Sequence, residues 1–316
     1  MMATTLDFPR HSADLAAQFR ADGHWNDDTL TTYLDKWAAE TPDNIAIVAP
    51  DREITFAQWR DESLKFANAL LELGLVRGDS IAIQYPNRPE FLIAFLGIAM
   101  MGGVMCTLHM PYRAGEMAPL MRHGNVKAVI CTEADSRYDA PATMESLKEH
   151  VPTLSHIIVV GEAGRDQQSF SQMIAAAANS PIADPPDADD PCILCFTSGT
   201  AAAPKGVVRT FETFTSNLRI YSPTIELTAA DRVMVAPPFT HVFGLTCGML
   251  ALYTGAANVL MSLFTPDLYA DRLINGRSSV VFSAPAHIAA SIKAGLLDDV
   301  DLTSIREVVI AGSVCP

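Results

Sequence analysis

Residues 195 to 208 read CFTSGTAAAPKGVV, an apolar start, seven small residues in a row, then one proline and one lysine before the chain turns apolar again. Thr197, Ser198, Gly199 and Thr200 bring hydroxyls and flexible backbone that can offer several donors to one anion, and Lys205 adds a point charge. The phosphate loop G-x-x-x-x-G-K-[ST] needs a glycine before its lysine and a hydroxyl after it. Here Pro204 precedes and Gly206 follows. The magnesium-binding hydroxyl of that motif is missing, which excludes an ordinary P-loop ATPase. A small-residue bend would account for 198–203, but not for the Pro-Lys-Gly in register behind it. His241, in VAPPFTHVFGL at 235–245, lies between apolar residues, where the choice is between a hydrogen-bonded core histidine and a group set against reacting atoms. Cys192 and Cys195 have the spacing of half a zinc knuckle with no second pair behind them. In a strand, residues three apart point to opposite faces, so the two read as core cysteines.

Elements to position these residues are legible along most of the chain. Val- and Ile-rich runs predict strands at Ile45–Val48, Ser80–Gln84, Val104–Leu108, Ala128–Cys131, His156–Val160, Cys192–Phe196, Arg232–Ala236, Asn258–Met261, Val280–Ser283 and Glu307–Ile310. Helical patterns fall between them at Phe56–Leu73, Arg88–Met101, Gly115–His123, Phe170–Ala178, Phe211–Tyr221, Asp267–Asn275 and His287–Leu296. A helix starting near Thr210 would aim a favourable N-terminus at an anion held by 197–206. This alternation is that of an α/β protein with two stacked sheets, mixed or mostly parallel, joined by crossover helices. The stretch PIADPPDADDP at 181–191 has four prolines and four aspartates and marks a linker or an exposed turn. It divides the chain into a first part to about residue 183, a connection over 184–191, and a part from 192 to 316 that holds the loop and His241.

Composition limits the function. Lys and Arg total 22 against 36 Asp and Glu, a net charge of -14, which repels nucleic acid and anionic membrane surfaces. An anionic ligand therefore needs a compact local site. The N-terminal segment lacks a basic head followed by an apolar run, so the chain reads as cytoplasmic. The longest apolar stretch, Phe91 to Cys106, is broken by Gly97, Gly102 and Gly103 and does not read as a membrane span.

Thr197 to Gly206 resembles the T-S-G-[ST]-T-G-x-P-K-G loop of the adenylate-forming enzymes, matching eight of ten positions with the free one counted. That family includes acyl-CoA and aryl-CoA synthetases, luciferases and peptide-synthetase adenylation domains. Other segments follow in the family's order: ITFAQW at 54–59, the region 69–104, VAPPFTHVFGL at 235–245, VFSAPAHI at 281–288 and VVIAGSVCP at 308–316. The resemblance covers the chain from about residue 28 and implies the fold of that family's N-terminal domain. It also implies a two-step ligase that joins a carboxylic acid to ATP as acyl-adenylate, releases pyrophosphate, and passes the acyl group to coenzyme A. On this reading Thr197, Ser198, Gly199, Thr200, Lys205 and Gly206 hold the phosphates, with Lys205 catalytic and Thr197 a magnesium ligand. His241 sits by the reacting carboxylate, Phe239, Phe243 and Gly244 lie near the acyl group, and Gly312, Ser313 and Val314 edge the adenine. ATP, Mg²⁺ and coenzyme A are the implied cofactors and co-substrates.

Two departures qualify this. Ala201 and Ala202 stand where the family has Thr and Gly, removing a hydroxyl and placing a Cβ where phosphate approaches closely, so weaker ATP binding is expected. The family also runs on for about another domain beyond Pro316, with a magnesium glutamate, a ribose aspartate and an adenylation lysine. This chain is therefore expected to have little or no turnover by itself. It is read as the N-terminal portion of an acid–CoA ligase, with a non-catalytic acyl- or nucleotide-binding module and one half of a split enzyme completed by a partner chain as alternatives. The run Phe239, His241, Phe243, Cys247, Met249 favours an apolar acid, medium-chain, alicyclic or aromatic. Strand 307–310 is expected at a sheet edge, where the chain could form a homodimer.

Overall fold

The computed structural model describes residue 8 and residues 10–197, 205–298 and 300–314. In chain order its strands are β1 (Ile45–Val48), β2 (Glu53–Thr55), β3 (Ser80–Gln84), β4 (Val104–Thr107), β5 (Val126–Thr132), β6 (His156–Val160), β7 (Gln168–Ser169), β8 (Pro191–Thr197), β9 (Lys205–Thr210), β10 (Arg232–Val235), β11 (Ala257–Leu260), β12 (Val280–Ser283) and β13 (Glu307–Ile310). Its helices are α1 (Ala13–Ala21), α2 (Leu30–Glu40), α3 (Phe56–Glu72), α4 (Pro89–Met100), α5 (Ala114–His123), α6 (Ala140–Leu147), α7 (Phe170–Ala176), α8 (Phe211–Thr224), α9 (Val242–Thr254), α10 (Pro266–Ile274) and α11 (Pro285–Lys293). All ten strands expected from the apolar runs are present with small shifts at their ends. β2, β7 and β9 are additional, being short, polar or attached to the loop.

The chain folds as two compact units, each assembled from separate stretches of sequence. The first comprises 1–32, 61–85 and 92–216, and carries a seven-stranded sheet in the order β7-β6-β5-β3-β4-β8-β9. Every neighbouring pair is parallel except β8 with β9. Buried Val129, Ile157, Val104 and Leu194 from its strands pack with Met117, Met121, Met144 and Leu147 of α5 and α6, which is why these strands read as continuous apolar runs. The boundary between units falls after residue 216, so 181–191 lies inside the first one. There it is a pinned surface turn: Arg77 pairs with Asp184 at 3.0 Å, Asp187 at 2.5 Å and Asp190 at 2.6 Å.

The second unit comprises 33–60, 86–91 and 217–316. Its six strands run β13-β12-β10-β11-β1-β2, parallel except for β1 with β2. One face buries Met234, Val259 and Val281 against Tyr269 and Leu273 of α10. The strand β13 is an edge of this sheet, as expected. A lock ties its start to β10: Arg306 donates to Asp231 at 2.8 and 2.9 Å, and Ser279 donates to the same carboxylate at 2.7 Å. No described helix is long and apolar enough to cross a membrane.

Candidate functional site

The lysine of the small-residue loop is held by an antiparallel hairpin. β8 and β9 pair Leu194 with Val208, Phe196 with Gly206, and Thr197 with Lys205. Ser198, Gly199 and Thr200, with Ala201 and Ala202, fall in 198–204, outside the described residues. Lys205 is exposed where β9 begins. The helix expected to point its N-terminus at this loop does not do so. Residues 205–210 form β9, and six residues of strand carry the chain roughly 20 Å before α8 starts at Phe211. Gly206 has a packing reason to be glycine: a Cβ there would come 2.8 Å from Leu194 Cδ1 and 3.1 Å from His123 Nε2. The two β8 cysteines have different partners. Cys192 Sγ donates to the Arg209 carbonyl at 3.4 Å, whereas burial pushes the Cys195 thiol up to about 11 against its hydrogen bond with Thr107.

His241 belongs to a different kind of corner. In the second unit the chain passes from β10 to β11 on one side, then crosses to β12 on the other, so β10 and β12 flank a topological switch point. In parallel sheets, ligand crevices open outside the carboxyl ends of strands at such a point. The segments beginning at 236, 284 and 311 all leave that edge, from the adjacent strands β10, β12 and β13. The alignment is fixed by Ala236 N–H donating to Phe282 O at 3.0 Å and Ala311 N–H to Ser283 O at 3.1 Å. The 236–241 segment is held from beneath by Asn87, which is 3% exposed. Its Nδ2 donates to Pro237 O at 2.9 Å and its Oδ1 accepts from Phe239 N–H at 2.7 Å, as a strand partner would.

His241 then caps α9. Its backbone N–H donates to Pro238 O at 3.0 Å, and its Nδ1 accepts from Phe243 N–H at 3.2 Å, which puts the proton of the neutral ring on Nε2. The side chain is exposed, so the core-histidine alternative fails on burial. Gly244 lets the first turn of α9 settle on the two prolines. A Cβ there would lie 2.3 Å from Pro238 O and 2.6 Å from Pro237 O. Phe243 is half-buried, edge-on to Phe282 at 6.2 Å. Phe239 is fully buried beside Phe91 at 5.4 Å, and Cys247 and Met249 are buried with it. Of the apolar residues grouped around His241 by sequence, Phe243 is the one that reaches the surface beside it. Gly312 adopts φ +95°, a conformation that favours glycine, and Gly312, Ser313 and Val314 are exposed just past β13. At the same edge His287 stacks on Phe264 at 4.4 Å, and burial holds its imidazole below the ordinary value.

Asn87 and α9 were not legible as functional parts. The only signal for Asn87 is a polar residue between two prolines, Pro86 and Pro89, in an apolar region. α9 is apolar on every side, with Gly244 and Gly248 both buried, so it has no amphipathic period to read.

The family described as AMP-binding enzyme matches residues 34–316, and the chain belongs to it. It is similar to the medium-chain fatty-acid–CoA ligase of Escherichia coli (strain K12), 27% identical over 319 residues that cover 100% of this chain and 56% of that protein. It is similar also to the salicyl-AMP ligase / salicyl-S-ArCP synthetase of Mycobacterium tuberculosis (strain ATCC 25618 / H37Rv), 30% identical over 262 residues, 81% of this chain and 46% of that protein. The apo structure of MbtA from Mycobacterium smegmatis superposes with a TM-score of 0.87 at 25% identity, covering 98% of this chain and 56% of that one. The chain thus spans about half the length of the curated relatives it matches.

Proposed function

We propose that this chain is the N-terminal part of an ATP-dependent carboxylic acid–CoA ligase of the cytoplasm. The observation that supports it best is the carboxyl edge of β10, β12 and β13, where an exposed, capped His241, the segment after β12 and the Gly312–Val314 turn leave neighbouring strands of one sheet. A carboxylate oxygen of the acid attacks the α-phosphorus of ATP, the bond to the bridging oxygen breaks, and pyrophosphate leaves. The thiol of coenzyme A then attacks the acyl carbon and AMP leaves. His241 Nε2–H orients the carboxylate by donating to one of its oxygens. Phe243 supplies the apolar wall beside it, while Gly312, Ser313 and Val314 edge the adenine.

Lys205, with Thr197, Ser198, Gly199, Thr200 and Gly206, takes the leaving pyrophosphate, whose charge must be neutralised for it to depart. The Thr197 hydroxyl, a hard oxygen donor of the kind Mg²⁺ takes, would hold the ion, which when bound would offset phosphate charge. The acid is apolar, medium-chain, alicyclic or aromatic, in keeping with the half-buried Phe243 beside His241.

The 316-residue span tested by itself binds acid and nucleotide with little or no turnover, because its relatives carry nearly as much chain again. Titration with a non-hydrolysable acyl-adenylate mimic tests the reading. Binding that falls about tenfold in His241→Ala is expected; absence of binding to the wild type refutes it. A pyrophosphate-release assay on the same span with a panel of medium-chain and aromatic acids is expected to stay at background, and turnover would overturn the low-activity part. Restoring Ala201→Thr with Ala202→Gly is expected to tighten ATP binding.

A further inference from the structure

The first helix of the chain is built to form easily and to be held lightly. Ser12 caps α1 by accepting from the Leu15 N–H at 3.3 Å, with Asp14 in its first turn and Arg20 in its last, so the sequence sets both of its ends. At nine residues, however, it is shorter than the roughly 12–15 at which a helix begins to hold in water by itself, and none of its residues is buried. The chain is anchored only further on, where Trp25 is 7% exposed and Leu30 0%. Between helix and anchor Gly23 takes φ +76°, a conformation that favours glycine, and the His24 and Trp25 N–H groups both donate to Phe19 O, at 2.8 and 3.1 Å. The ring contacts of Trp25 with Phe19 at 4.9 Å and with His11 at 5.1 Å join neighbours in sequence and stay within this segment.

Two arginines carry the segment to the rest of the first unit. Arg10 Nη1 donates to Asp189 Oδ2 at 2.8 Å, between side chains 59% and 54% exposed, where water leaves such a pair little strength. Arg20 Nη2 donates to Glu212 Oε2 at 2.7 Å, and that carboxylate is only 6% exposed. Burial raises the Glu212 carboxyl, and Arg20 works against it. Glu212 is fixed from behind: its own N–H donates to Ala188 O at 2.7 Å and the Phe211 N–H to Asp190 O at 3.1 Å, both in the turn that Arg77 pins. A cavity of ≈ 250 Å³ separates the two sides, lined by Ala13 and Ala16 of α1 on one and by Thr210, Glu212 and Thr213 on the other.

We propose that α1 is a lid, hinged at Gly23 and latched by Arg20 on Glu212, that opens independently of the sheet and uncovers this cavity. Each part has the strength its role needs: no buried face holds the helix down, the exposed Arg10 pair adds little, and the latch closes on a carboxylate set in rigid backbone. Elements that move in proteins are those with few buried apolar contacts. The floor of the cavity is the end of β9 and the start of α8, so opening bares the end of the outer strand of the seven-stranded sheet. The lid stands whether or not residues 197–206 hold phosphate.

The test is amide hydrogen exchange on the 316-residue chain, paired with thiol labelling of Thr213→Cys, a half-buried position on the cavity floor, counted over the labelling of the same chain without that substitution. With the latch intact, the amides that close α1, such as Ala16 and Asp22, are expected to exchange about tenfold faster than those of β5, or more. Arg20→Gln and Glu212→Gln are each expected to speed both α1 exchange and labelling at the introduced thiol by about tenfold, with β3 and β5 unchanged and Arg20→Lys falling between. Exchange of α1 at the β5 rate overturns the lid. Faster exchange without faster labelling shows a helix that frays in place, and overturns it too. Acceleration of β5 together with α1 assigns the Arg20 pair to the stability of the whole unit and rejects the latch.

Discussion

The hairpin at β8–β9 and the corner at β10–α9 are built in opposite ways. The hairpin ends on an edge strand, exposes Lys205 and leaves Val207 44% exposed. The chemistry proposed for it rests on residue types in a row. The corner is buried almost to its tip: Phe239 is 0% exposed, Asn87 3%, and His241 emerges only as the cap of a buried helix. The chemistry proposed for it rests on placement. A loop that recognises an anion with its own backbone needs little behind it, whereas one side chain aimed at a reacting group needs a rigid bed. Substitutions beneath the corner should therefore cost stability, and those at the hairpin should cost ligand affinity instead.

The sharpest break is Gly244→Ala. Its Cβ would fall within 2.6 Å of two backbone carbonyl oxygens, which cannot swing aside as a side chain can. A loss of about 3 kcal/mol in denaturant unfolding is expected; a loss under about 1 kcal/mol would mean that the bed is soft. Asn87→Ala comes next. It strips the Phe239 N–H and Pro237 C=O of their buried partner, and about 2 kcal/mol is expected from the same measurement.

Acid stability in the second unit follows from the Arg306 lock. Burial alone would raise the Asp231 carboxyl, but hydrogen bonds from Arg306, Ser279 and the Thr228 N–H outweigh it and hold Asp231 at about 2. Its folded value is below the unfolded one of about 3.9, so the stabilisation is present above pH 4 and is lost as pH falls towards 2. Unfolding curves over that window should lose on the order of 1–2 kcal/mol in the wild type and distinctly less in Arg306→Gln. Equal losses would remove the lock from the account. The smallest stability effect belongs to the hairpin: Gly206→Ala meets the ends of the Leu194 and His123 side chains, which can shift, and should cost about 1 kcal/mol or less.

Legibility in the sequence follows the same division. Strands such as Ser80–Gln84 and His156–Val160 could be read to the residue because their centres, covered on both faces of a parallel sheet, are continuous apolar runs. β9 was missed because Gly206 and Lys205 look like loop, and a strand there displaces the helix terminus that Thr210 suggested. α9 was missed because Val242–Thr254 is as apolar as a strand and has no polar face. The loop motif and His241 stood out by residue type. The clamp by Asn87 did not, because a hydrogen bond between residues 150 apart leaves no trace in local pattern. Phe239 was placed near the acyl group by its neighbours in sequence, yet the fold turns it inward against Phe91.

The most direct test of the account is the affinity of the 316-residue chain for magnesium-ATP with and without Lys205. This side chain is exposed, so its removal takes little packing from the described fold. The account expects Lys205→Ala to unfold within about 0.5 kcal/mol of wild type and to bind ATP about tenfold more weakly. Unchanged affinity, with the fold intact, would contradict the reading of residues 197–206 as a phosphate-holding loop.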